Sequence, residues 1–105
     1  MMSAYRIVCT EQAPESGHPS QERIVAVGVS VDGVRASSRL TVEDVVHQME
    51  QGDIFFTVGN KSGKVALVEK YWCHVCRGWH IRSHADAVTD NNLDSLRYCE
   101  WRMSA

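Results

Sequence analysis

The chain has 105 residues, 44% of them apolar and 23% charged, which gives room for one hydrophobic core, not two, and excludes a wholly disordered chain. A formal charge of -2 and a pI near 6.2 exclude bulk attraction to nucleic acid or an anionic membrane, so binding of that kind requires a local patch. No apolar run reaches the roughly 20 residues that span a bilayer, and the start lacks a basic segment followed by a long apolar one, so a cytoplasmic, membrane-free protein is expected.

Tyr5, Ile7 and Cys9 alternate with Arg6 and Val8, the period of a first strand with one face buried. Residues 10–22 are polar and hold both prolines, which predicts a flexible surface loop. Residues 23–31 are apolar on both faces and predict a central strand ended by a turn at Asp32 and Gly33. Residues 34–39 read as an irregular connection.

Residues 41–52 carry the clearest helical signal. Thr41 can cap the helix, Glu43 and Asp44 suit its positive end, and Gly52 can stop it. Val42, Val45, Val46 and Met49 fall at i, i+3, i+4 and i+7, one stripe to lie on a sheet, with His47 and Glu50 on the solvent side.

Residues 54–58 and 64–70 read as two strands joined by a Gly/Asn hairpin loop. The loop spelling Gly59-Asn-Lys-Ser-Gly63-Lys64 is not a phosphate loop: three residues separate the glycines, Val65 follows the lysine, and a strand comes next. Residues 79–83 alternate again, so a second hairpin is expected with residues 71–80 as its Cys-x-x-Cys knuckle. Leu93 and Leu96 predict one short closing turn of helix. The expected fold is a single α+β domain over residues 1–105, of about five mostly antiparallel strands and one amphipathic helix, in the order β-β-α-β-β-β-short α.

The spellings Ile7-Val-Cys9, Leu40-Thr-Val-Glu-Asp-Val45 before a helix ending at Gly52, Ile81-Arg-Ser-His-Ala-Asp86, and Asp90-Asn-Asn-Leu-Asp-Ser-Leu96 with Cys99 resemble a family of short, functionally uncharacterised prokaryotic and phage domains. The resemblance covers nearly the whole chain, although Arg97 stands where the family usually has Pro. It implies that Cys9 and Cys99 belong to the family pattern and that Cys73 and Cys76 are additions to the last hairpin. It implies no activity.

Cys73 and Cys76 form a zinc half-site on a hairpin tip, with His80 and Cys99 as the remaining ligands and Cys9 or His84 as substitutes. In a strand His80 and His84 lie about 13 Å apart, at about 3.3 Å per residue, and cannot share an ion. The competing reading is four reduced thiols, as expected in a reducing compartment, with Cys9 and Cys99 in the core. A third is a thiol-disulfide protein using Cys73 and Cys76, against which stands their place between strands and away from a helix N-terminus.

Trp72, Arg77, Trp79 and Arg82 interleave aromatic and basic side chains, as single-stranded nucleic-acid surfaces do. The competing reading is ordinary hairpin packing. No catalytic set assigns all the roles a mechanism requires: Asp86, Asp90 and Asp94 are turn residues, and nothing orients a Cys76–His80 dyad. The expectation is a non-catalytic binding or assembly module, with a protein partner, a second copy of the chain, or nucleic acid as its target.

Overall fold

The computed structural model describes residues 3–15, 18–30, 36–74, 77–84, 92, 93 and 96–100, with the side chains of residues 14, 15 and 18–22 outside that description. Its elements are β1 (Ala4–Glu15), β2 (His18–Ser30), β3 (Ser38–Thr41), α1 (Val42–Glu50), β4 (Ile54–Val58), β5 (Val65–Cys73) and β6 (Gly78–Ser83). The strands form a six-stranded sheet in the order β3-β2-β1-β4-β5-β6. Among these six strands β1 and β4 pair in parallel and the other neighbours are antiparallel.

This is a mixed, mostly-β architecture, and it overturns the expected five-stranded α+β order with two helices. Three segments make the difference. Residues 10–15 and 18–22 are strand where the composition predicts a loop, with pairs running from Thr10↔Val27 to Glu15↔His18. A ladder is a backbone structure, and two register shifts, at Glu11/Gln12 and Pro14/Glu15, absorb the irregularities of a polar, proline-containing stretch. Residues 38–41 form an edge strand, where exposed Ser38 and Arg39 need no apolar pattern because only one side is paired. In place of the expected closing helix, the described residues show a single hydrogen bond from Leu96 N–H to the Leu93 carbonyl at 3.3 Å and then extended backbone bridging Thr10 and Tyr98.

The helix forms where its sequence directs. Asp44 N–H donates to Thr41 Oγ1 at 3.1 Å and Thr41 N–H donates to Asp44 Oδ2 at 3.0 Å, a reciprocal capping box. Gly52 takes φ 101° just beyond the C-cap Gln51, a backbone region open to glycine without penalty. Val42, Val45 and Val46 enter the core with Ile7, Val27, Val29, Phe55, Val68, Ile81 and Leu93. No helix among the described residues is long and apolar enough to cross a membrane.

Two features bend the sheet around α1. Strand β5 pairs with β4 through residues 65–67 and with β6 through residues 68–73, so its two halves serve different neighbours. Strands β2 and β6 touch although three strands lie between them in the order. The sheet therefore curls, and its two ends meet near the start of the helix.

Candidate functional site

The Cys-x-x-Cys knuckle divides between described and undescribed residues. Cys73 is half-buried at the end of β5, opposite Gly78, whereas Cys76 lies outside the described residues. The other expected ligands do not gather. Cys9 and Cys99 are joined in a disulfide, with Cα atoms 4.9 Å apart, which removes both from any zinc set and overturns the expectation of four reduced thiols. His80 lies against Tyr71, with 3.4 Å between Nδ1 and the phenol oxygen, while His84 Nδ1 is 3.6 Å from Glu69 Oε2. Among the described residues no three His, Cys, Asp or Glu side chains are arranged to hold a metal.

The disulfide owes its place to a bulge. Ile7 pairs with Val29 and Cys9 with Gly28, so Val8 is an extra residue that turns Cys9 to the face opposite Ile7. Simple alternation put both on one face. Gly28 leaves the space the sulfurs occupy: a Cβ there would overlap Cys9 Sγ, come within 2.7 Å of Ala36 Cβ and within 3.2 Å of Cys99 Sγ. This bond departs from the reduced thiols expected of a reducing compartment, and it joins the two cysteines that the family resemblance sets apart from Cys73 and Cys76.

Three of the four expected binding residues come together. Trp72 and Trp79 are cross-strand partners with ring centroids 5.4 Å apart in an edge-to-face arrangement, and they stay 43% and 38% exposed. They are not core aromatics. Lys70 Nζ lies 5.0 Å from the Trp79 centroid, and Arg77 occupies the turn between the strands with φ 53°.

The curl of the sheet brings distant residues to this pair. A groove of about 570 Å³ is lined by Trp72, Arg77, Gly78 and Trp79 on one side, and on the other by Arg23, Ile24 and Val25 of β2 together with Arg39, Thr41, Val42 and Glu43. Helix α1 starts at the groove wall, where its capping box joins Thr41 and Asp44. Arg39 is held by two contacts to Glu11, at 2.8 and 3.1 Å, and the hydrogen bond with Glu11 raises its already high pKa. The lining thus includes three arginines, of which Arg39 is paired with Glu11, and one acidic residue, Glu43. Arg23 and Arg39 escaped sequence reasoning because each is more than thirty positions from the knuckle and no periodicity links them to it.

Arg82 is the fourth expected binding residue, and it lies elsewhere. Alternation places Glu69, Tyr71, His80 and Arg82 on the face opposite Lys70, Trp72 and Trp79. There Arg82 Nε donates to Glu69 Oε1 at 2.8 Å and its guanidinium covers the Tyr71 ring at 4.6 Å. The hydrogen bond from Arg82, helped by one from His84, holds the Glu69 carboxyl below its ordinary pKa. The same face continues through Ile54 and Phe56 of β4 and Val65 and Leu67 of β5, of which Ile54, Val65 and Leu67 are exposed.

Residues 6–97 match the family model described as "Protein of unknown function (DUF3892)". No curated protein matches the chain, and no solved structure does.

Proposed function

The chain belongs to the family described as "Protein of unknown function (DUF3892)", and from that footing we propose that it is a non-catalytic binding module whose groove takes single-stranded nucleic acid. The observation that carries this reading is the convergence of two exposed tryptophans with Arg23, Arg39 and Arg77 in one groove. A base stacks on a tryptophan face whatever its sequence, and guanidinium groups meet the adjacent phosphates. The start of α1 adds a favourable end of a helix dipole to the same wall. With an overall charge of -2, the interaction is local, dependent on a few cations, and weak at high salt.

The test is anisotropy of a labelled oligothymidylate at low ionic strength. Binding should weaken steadily with salt, and Trp72→Ala should reduce affinity about tenfold or more, since one stacked base contributes about 1–3 kcal/mol. Binding that ignores salt, or that survives Trp72→Ala and Arg77→Ala unchanged, would falsify the proposal.

A further inference from the structure

The C-terminal part of the described chain is held to the sheet at two points that differ in kind. The inner one is Leu93, whose side chain is 1% exposed in the core and whose amide donates to Ser83 Oγ at 2.6 Å. The outer one is residues 97–99, which run parallel to β1. Thr10 N–H donates to the Arg97 carbonyl at 3.0 Å, and Cys99 N–H donates to the Thr10 carbonyl at 2.8 Å. On its other side Thr10 pairs with Val27, so residues 97–99 occupy the edge of β1 that β4 leaves after Phe56.

Arg97 and Tyr98 are exposed, so burial does little to keep this outer segment in place. Two backbone hydrogen bonds and the Cys9–Cys99 disulfide are among the contacts that hold it, and the disulfide is the covalent one. Among the described residues the core cluster contains none beyond Leu93, with Leu96 packed at its margin.

We propose that the Cys9–Cys99 disulfide is a redox latch, whose reduction by a dithiol releases residues 97–99 from β1 while the fold stays intact behind Leu93. Release uncovers the Thr10 backbone and opens the groove of about 500 Å³ in which Leu96 and Arg97 face Arg6, Val8, Val58 and Asn60. This is independent of the tryptophan groove, which lies on other elements.

The chemistry is thiol-disulfide exchange. Cys9 is 2% exposed and Cys99 only partly buried, so the attack falls on Cys99 Sγ. The reductant's thiolate bonds to Cys99 Sγ as the Cys9–Cys99 bond breaks, and Cys9 leaves as a thiolate that takes up a proton. The reductant's second thiolate then attacks its own sulfur in the mixed disulfide and frees Cys99. Two electrons pass to the protein, and the reductant ends as a disulfide.

The Thr10 and Cys99 amides report directly on the latch, because they donate the two hydrogen bonds that would be lost. With dithiothreitol, their hydrogen exchange should rise at least tenfold while the amides of β5 and β6 keep their protection. Unchanged exchange after full reduction overturns the latch. So does loss of protection throughout the sheet, which would make the bond a staple of the whole fold. Cys99→Ser should show the released pattern without reductant, and a Cys99→Ser chain that does not fold counts against the proposal. A monothiol such as glutathione should form its adduct on Cys99, and an adduct confined to Cys9 overturns the stated route.

Discussion

Gly28 shows how one absent side chain sets a covalent bond. Because Cys9 lies directly across the ladder from it, its missing Cβ is the space into which the disulfide packs. Gly28→Ala should therefore destabilise by about 2 kcal/mol, the usual cost of overfilling a packed site, and lower Tm by about 10 °C in a chain of this size. In a Cys9→Ala background, where one of the sulfurs is gone, the same substitution should cost less; equal costs in both backgrounds would refute the packing argument. Arg77 presents the opposite case, a large side chain held at φ 53° beside Gly78. A non-glycine residue in that region costs about 1 kcal/mol or more, so Arg77→Gly should leave Tm at or above its original value while weakening oligonucleotide binding. A fall in Tm would show that Arg77 is there for the fold. At Glu69 the hydrogen bond from Arg82 favours the carboxylate, so the folded pKa lies below that of the unfolded chain. The stabilisation is present above the unfolded value and disappears as pH falls through the folded one. In Arg82→Ala the Glu69 carboxyl titration, followed by NMR, should move up toward its ordinary range, and an unmoved midpoint would assign the shift to another group.

Elements were legible where their signals are local. The capped helix and the β4–β5 hairpin are specified by residues adjacent in the chain, and Thr41, Asp44, Gly52 and the Gly59-to-Gly63 loop all perform the roles their chemistry predicts. Thr41→Ala removes the Oγ that accepts from Asp44 and should cost about 1 kcal/mol, or about 5 °C in Tm. Thr41→Ser, which keeps the acceptor, should restore most of it. Strand β3 and the outer halves of β1 and β2 were not legible, because their pairing is supplied by neighbours rather than by alternation of their own. The Val8 bulge is of the same kind. One extra residue reverses the faces of the residues that follow it up to the next register shift, and the composition of Ile7, Val8 and Cys9 carries no mark of it.

At the scale of the whole molecule, the sequence gives the knuckle side of the tryptophan groove and omits the other. Trp72, Arg77 and Trp79 are near one another in the chain, whereas Arg23 and Arg39 arrive only because β2 and β6 meet across the curled sheet. If the proposed interaction uses all three guanidinium groups, Arg23→Ala should reduce the salt dependence of oligonucleotide binding by close to one phosphate contact. A slope unchanged from the original protein would remove Arg23 from the contact. Arg39 is the less informative position to change, because its removal also breaks the ion pair with Glu11.

The parallel pairing of β1 and β4 has a bearing on synthesis. β1, near the start of the chain, sits in the middle of the sheet; one of its sides is served by β2 at once, but the other waits for β4 and then for residues 97–99. A chain emerging from the ribosome therefore carries a central strand with one side incompletely paired until residues 97–99 have been made. Long-range closures of this sort slow folding, and the interval before residue 99 appears is the period in which β1 is most exposed to pairing with another chain.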